Sequence, residues 1–305
     1  VSPERRGLTL LVNPSAGRGR AGRILPQVSA ALVRSLPEVA LSVVRATDFA
    51  EADVGARACV AAARPGDALI VMGGDGMMGL GMDAVAGTGV PLGLIPAGTG
   101  NDICRGLGIP THPLAAARLI ARGRPRPVDA IAVRGSLARG GTERFVGSVV
   151  ASGFDARVNR RANHIRLPIG SLRYAASALA ELATFEPLHY KITIDGRLRE
   201  LPAMFVAVAN TAYYGGGMQI APGADPSDGL LDVTVIHPVS RFTLLRLLPT
   251  MYGGSFVRDP SVERFRTPAI DIDGAGLYAM GDGEELGPPP LSLRADPGAL
   301  LVYAP

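Results

Sequence analysis

The chain has 305 residues, of which 47% are hydrophobic and 19% charged, with a formal net charge of +4. That length accommodates two cores, and the balance excludes extended disorder. No run reaches the roughly 18 to 20 apolar residues of a membrane span, and the mild positive charge gives no reason to expect a nucleic-acid partner.

The N-terminus has no signal-peptide layout, so a cytoplasmic location is expected. Leu8 to Val12 reads as a strand ending in a turn of Asn13, Pro14, Ser15, Ala16, Gly17, Arg18 and Gly19. A helix from about Ala21 to Leu36 follows, with Ile24, Leu25, Val28, Ala31 and Leu32 on its apolar face. The turn lies at the strand's carboxyl end, which suits either an ordinary βα loop or a ligand site. Val39 to Val44 is the second predicted strand, and Phe49 to Ala63 is an Ala-rich helix that Thr47 can cap.

Ala68 to Met72 and Leu92 to Ile95 are short buried-strand patterns, each running straight into a glycine-rich turn with a helical segment behind it. The turns are Gly73-Gly74-Asp75-Gly76 and Pro96-Ala97-Gly98-Thr99-Gly100-Asn101-Asp102. Their glycines permit close backbone approach, and successive N–H groups at a helix N-terminus attract anions. Together they read as a phosphate site. Asp75 can form an Asx turn, Thr99 can donate its hydroxyl to a phosphate, and Asn101 or Asp102 can cap the helix from Ile103 to Leu107. Lys191 is the only lysine, which excludes a P-loop and leaves phosphate contacts to arginine or backbone N–H.

An amphipathic helix from His112 to Arg122 leads into Gly123-Arg124-Pro125-Arg126-Pro127, the best candidate for a domain boundary. Strands dominate afterwards: 128–133, 145–151, 190–194, 204–209, 231–236, 270–272 and 300–303, with a hairpin turn at Asp195-Gly196. Helices are expected at about 171–184 and 240–251. The second carries Arg241, Phe242, Leu244, Leu245, Arg246, Leu247, Leu248, Met251 and Tyr252, and reads either as buried core or as an interfacial helix. Gly281-Asp282-Gly283-Glu284 is a tight turn that can aim both carboxylates into a cleft. Cys59 and Cys104 lack redox or metal spacing and are expected as buried thiols, and four scattered histidines make no zinc site.

GGDG, then PAGTGND about twenty residues later, then RGLGIP resemble the diacylglycerol kinase catalytic domain of bacterial lipid kinases, a family related to sphingosine kinases. NAD kinases and phosphofructokinases share GGDG but not the whole series. The resemblance implies an α/β nucleotide-binding domain of the NAD kinase and phosphofructokinase type over 1–127, and a β-rich domain of mostly antiparallel strands over 128–305. It implies an ATP-dependent lipid kinase, with diacylglycerol as first candidate. Asn13 to Arg18 match the family's loop over the nucleotide phosphates, and Thr47, Gly73, Gly74, Asp75, Gly76, Gly98, Thr99 and Gly100 take its other nucleotide-contacting positions. Asp75, Asp129 and Glu284 match a water-mediated Mg2+ network, and Asp282 the catalytic base. Asp225, Asp228 and Leu230 correspond to a structural Mg2+ site, and Gly153-Phe154-Asp155-Ala156 to a structural turn. Met77, Met78, Gly79 and Leu80 depart from the usual residues after GGDG. The resemblance further implies ATP and Mg2+ as cofactors, a lipid substrate met transiently at the membrane surface, and a homodimer as an option. An NAD kinase and a non-catalytic nucleotide- or lipid-binding relative are the competing readings.

Overall fold

A computed structural model describes residues 6–153 and 186–305. The helix expected at 171–184 and the Phe154-Asp155-Ala156 part of the turn lie outside them. The chain begins β1 (Arg6–Val12), α1 (Ala16–Ser35), β2 (Val39–Arg45), α2 (Phe49–Ala62), β3 (Ala68–Gly73), α3 (Asp75–Val85), β4 (Leu92–Pro96), α4 (Asp102–Gly106) and α5 (Pro113–Arg122). The four strands pair in parallel in the order β2-β1-β3-β4. β3 is buried at every residue, because helices cover both faces of the sheet, as parallel sheets require. On one face Leu25, Val28 and Leu32 of α1 share a core with Ala117 and Ile120 of α5. On the other, Ala52 and Ala56 of α2 meet Met78 and Met82 of α3. The turns after β1, β3 and β4 therefore lie along one edge of the sheet.

The second half runs β5 (Arg126–Gly135), β6 (Glu143–Val146), β7 (Val149–Gly153), β8 (Leu188–Ile194), β9 (Arg197–Ala203), β10 (Phe205–Ala209), β11 (Tyr213–Tyr214), β12 (Met218–Gln219), β13 (Leu231–Ile236), α6 (Arg241–Met251), β14 (Val262–Thr267), β15 (Ala269–Asp273), β16 (Ala279–Gly281), β17 (Glu284–Gly287) and β18 (Leu291–Val302). One feature adds to the sequence reading and another corrects it. The Pro-rich step is no free linker, since β5 already starts at Arg126, where it pairs with Val302. The run from Phe145 to Ala151 is two strands, not one. β6 pairs with β5 and β7 with β10 and β16, so Gly147 and Ser148 carry the chain from one sheet to the next.

That second sheet is antiparallel throughout, in the order β14-β13-β10-β7-β16-β17. Its inner face (Val206, Val208, Val233, Val235) packs on Ile131, Val133, Ile192 and Leu293 of the first sheet, a sandwich core. Its outer face is covered by Leu244, Leu247 and Met251 of α6. β18 joins the halves: it is antiparallel to β5 and β15, and parallel to β4 through Val302 and Leu92. Cys104 is buried as expected, whereas Cys59 is only partly so.

Candidate active site

Close contacts bring the three turns together. Gly17, Arg18 and Gly19 are all left-handed, so the chain coils at the β1 edge before α1 becomes regular. A Cβ on Gly17 would stand 2.1 Å from the Ala97 carbonyl oxygen, and one on Gly98 would stand 2.5 Å from Gly74 Cα. Only bare backbone fits at these crossings. Asn101 fastens the turn after β4 by accepting from Gly98 N–H (3.0 Å) and donating to Gly98 O (3.2 Å). Ser15, Arg18 and Thr99 stand exposed around the edge. Asn13 Oδ1 accepts from Ser15 N–H at 2.9 Å, and Ala16 N–H donates to Asn13 O, which folds the Asn13-Pro14-Ser15-Ala16 loop on itself. Thr47 is exposed, and its N–H and hydroxyl both donate to Glu51; the cap of α2 expected of it is Asp48 instead, which sits in the N-cap position and accepts from Glu51 N–H at 2.9 Å.

Asp75 is half-buried and does the capping that sequence reasoning gave to Asn101 or Asp102. It accepts from Asn101 N–H (2.8 Å) and Ile103 N–H (3.1 Å), across the turn onto α4. Asp102 is released from that task. Its Oδ2 accepts from Gly216 N–H at 2.6 Å, while its Oδ1 is buried with no hydrogen-bond partner. Burial, aided by the neighbouring Asp75 charge, pushes the Asp102 carboxyl up to about 6. Burial also raises Asp75.

Asp282 and Glu284 come from the turn joining β16 to β17, with Asp282 itself left-handed (φ 50°). They reach the cleft because α3 presents small residues to them. A Cβ on Gly76 would lie 2.8 Å from Glu284 Oε1, and one on Gly79 would lie 2.7 Å from Asp282 Cβ. The break between β6 and β7 explains how Asp282 is held: it accepts from Gly147 N–H (2.8 Å), Ser148 N–H (3.0 Å) and the Ser148 hydroxyl. Burial raises its pKa while these donors oppose the rise. Glu284 is also raised by burial, against the pull of Arg139 and Arg144. Arg139 pairs with Glu284 and stacks over the Phe49 ring at 3.4 Å, tying the β5–β6 loop to α2. Arg144 pairs with Asp83 at 3.6 Å, yet its Nη1 is buried without a hydrogen-bond partner. Gly79, Arg144, Gly281, Asp282 and Glu284 line one small cleft. A hollow of about 590 Å³ between α1 and α5 is larger, but no carboxylate lines it.

Asp129 is buried with both carboxylate oxygens in use, accepting from Gly229 N–H and Gly298 N–H at 2.8 Å each. It is linked to the cleft through Asn210, whose amide donates to Asp129 O (2.8 Å) and Gly147 O (3.1 Å). The residues matched to a structural cation are engaged otherwise. Asp225 accepts from Ser227. Asp228 takes Leu230 N–H at 3.0 Å and pairs with Arg266, which also lies 3.5 Å from Asp232. A guanidinium fills the role a cation would have, so these residues do not fit a metal. Among the described residues, no three His, Cys, Asp or Glu converge closely enough to ligate a metal directly. A hydrated ion suits the edge where Asp75 and Asp102 supply negative charge and Asp102 Oδ1 lacks a donor, whereas Glu284 must exchange Arg139 for an ion to join them.

Sequence reasoning gave Asp102 only a capping role and Asn210 only a place at the head of the Asn210 to Gly217 segment, and it missed Arg139, Arg144 and Ser148. The signal available for Asp102 was its place at the end of the second glycine turn, beside the helix that Asp75 caps. Nothing local marked Arg139, Arg144 or Ser148.

Residues 7–133 match the family model described as diacylglycerol kinase catalytic domain. Residues 148–304 match the YegS C-terminal NAD kinase beta sandwich-like domain. A "Diacylglycerol kinase" of Mycobacterium tuberculosis is 38% identical over 300 residues, 98% of this chain and 95% of that protein. A "Probable lipid kinase YegS-like" of Stenotrophomonas maltophilia is 27% identical over 250 residues, 78% of this chain and 79% of the other. A crystal structure of a diacylglycerol kinase from Bacillus anthracis superposes with a TM-score of 0.72 at 21% identity, covering 100% of this chain and 98% of that one. Yeast NADH kinase, at 13% identity, covers 99% of this chain and 83% of its own with a TM-score of 0.54, a likeness of fold alone.

Proposed function

The chain belongs to the bacterial diacylglycerol kinase family of lipid kinases, and from that membership and the cleft chemistry we propose that it transfers the γ-phosphoryl group of ATP to the hydroxyl of diacylglycerol, giving phosphatidic acid. The observation that carries the reading is the convergence of three glycine turns beside two carboxylates that α3 admits only through Gly76 and Gly79. Phosphoryl transfer is mostly positioning and charge stabilisation. Backbone N–H groups of Gly17, Gly74, Gly76, Thr99 and Gly100 receive the phosphates, with Arg18 at the rim and Ser15, Gly73 and Gly98 shaping the turns. Thr47 is a secondary contact.

Asp282 is the general base. Three donors fix its carboxylate: Oδ1 spends both lone pairs on Ser148, while Oδ2 accepts only from Gly147 N–H and keeps one for the acceptor hydroxyl, so the proton leaves toward a group already oriented. Its raised pKa suits a proton acceptor. Asp75, Asp102 and Glu284 would hold Mg2+ through water. When bound, the ion neutralises charge on the β- and γ-phosphates. Asp129 supports this set by holding the Gly229 and Gly298 loops. The substrate lies in a bilayer, so the protein visits the membrane surface. In the described residues no helix is long and apolar enough to cross it.

Incubation with labelled ATP and either dispersed diacylglycerol or NAD tests the reading. Label in the organic phase supports it, and label in the dinucleotide alone overturns it.

A further inference from the structure

α6 has two apolar faces. Leu244, Leu247 and Met251 seal the outer face of the antiparallel sheet, and Ser240 caps the helix by accepting from Thr243 N–H. That face completes the core. The opposite face is apolar as well: Phe242 is 78% exposed, Leu245 43% and Tyr252 56%, with Pro249 exposed between them. Spaced i, i+3, i+7 and i+10, these four form one stripe on a 3.6-residue helix. Elsewhere in the described residues, the large hydrophobics this exposed are single aliphatics: Val33, Val43, Val54 and Leu198. Single exposed aliphatics need no explanation, whereas a contiguous aromatic stripe marks a contact surface.

Charge selects the partner. From Ser240 to Arg258 the sequence holds Arg241, Arg246 and Arg258 and no acidic residue. Arg241 and Arg246 fall on either side of the stripe. Arg246 reaches Asp259 at 3.2 Å, and the pair is exposed on the arginine side. Apolar side chains flanked by guanidinium groups match an acyl boundary beneath anionic headgroups. The helix also touches the reacting end of the molecule. Gln219 Nε2 donates to Tyr252 O at 3.5 Å, and a Cβ on Gly254 would stand 2.9 Å from Pro222. Gln219 ends the β11–β12 hairpin, whose tip donates from Gly216 to Asp102.

We propose that the Phe242, Leu245, Pro249 and Tyr252 stripe, with Arg241, Arg246 and Arg258, is the surface that seats this protein on an anionic bilayer. The inference rests on the lipid-kinase reading above, and it names where the enzyme meets the membrane.

Co-sedimentation with vesicles of phosphatidylcholine plus phosphatidylglycerol, and with phosphatidylcholine alone, tests it. The protein binds the mixed vesicles more tightly, and high salt removes the difference. Phe242→Ala with Leu245→Ala weakens binding about tenfold or more, with an unchanged melting temperature because both side chains face water. Arg241→Gln, which leaves packing alone, weakens binding to the anionic vesicles about fivefold and to the neutral ones not at all. Parental binding in the double variant and in Arg241→Gln overturns the proposal. So does a double variant that loses self-association by light scattering while keeping vesicle binding, which would make the stripe a contact with a second copy of this chain. Wild-type protein given labelled ATP and a monomeric short-chain diacylglycerol, without vesicles, addresses the kinase reading separately. Failure there leaves the vesicle result standing.

Discussion

Gly79→Ala probes the cleft with a single methyl group. The new Cβ would lie 2.7 Å from Asp282 Cβ, 3.0 Å from Oδ2 and 3.2 Å from Cγ. Carbon atoms prefer about 3.5 to 4.0 Å, so Asp282 must retreat by about 1 Å. It has no free direction, being held by Gly147 and Ser148 on its far side. A displacement of about 1 Å costs on the order of 10²-fold in turnover. Stability moves less. Alanine in a helix gains about 1 kcal/mol over glycine, against about 1 to 3 kcal/mol for overpacking. Gly81→Ala is the control, since its Cβ would meet Val71 Cγ2 at 2.6 Å, in the apolar core away from the carboxylates. Steady-state kinetics at saturating ATP, beside melting curves, should show kcat falling about 10²-fold for Gly79→Ala and little change for Gly81→Ala. Equal kcat for Gly79→Ala and the parent, or equal losses in both variants, would refute the argument.

Asp282→Asn keeps the shape and, through its amide oxygen, the Ser148 contacts but not the one from Gly147 N–H, and should lower kcat by ~10² to 10⁴, with ATP affinity near parental by calorimetry; undiminished turnover rejects the base assignment. Gly98→Ala pushes against Gly74 Cα at 2.5 Å and should weaken ATP binding by about tenfold or more in a folded protein; parental affinity removes the phosphate site. Asp102, raised to about 6 from an unfolded value near 3.8, stabilises fully below the unfolded value and loses that contribution as pH rises through about 6. Asp102→Asn should therefore gain in melting temperature relative to the parent above about pH 6, by the equivalent of about 3 kcal/mol at most, and show no gain near pH 3; a pH-independent difference contradicts the assignment. Chelation should leave the melting temperature of the nucleotide-free protein unaltered, because Arg266 supplies the charge at Asp228; a fall of several degrees on adding chelator would show that a metal does so instead.

The nucleotide half was legible because its signals are local. Apolar runs ending in Gly73-Gly74-Asp75-Gly76 or Pro96-Ala97-Gly98 mark strand, turn and helix within a few residues, and the observed β1 to β4 follow them closely. The other half hides its logic in register. Phe145 to Ala151 has the pattern of one strand, and only pairing with different sheets splits it at Gly147. β14 and β16 were not read as strands at all, since Val262 to Thr267 alternates charge on a partly exposed edge and β16 has three residues. The same limit applies to the site. Asp75 and Asp282 stand in recognisable motifs, but Asp129's commitment to Gly298 joins residues far apart in sequence, and no spacing announces it. For α6 the sequence posed core against interface as alternatives, and the helix has a face for each.

β18 has a mechanical consequence. It hydrogen-bonds to β5 along its length, yet its other edge serves β15 at one end and β4 at the other, with an irregularity between Asp296 and Leu300. Asp129 rivets Gly298 at that irregularity. The two halves are thus not beads on a string: one strand runs through both, and Gly216 on Asp102, Arg144 on Asp83 and Arg139 over Phe49 tie them further. Slackening the rivet should loosen amide exchange at Gly298 and Gly229 together, from opposite sides of one side chain.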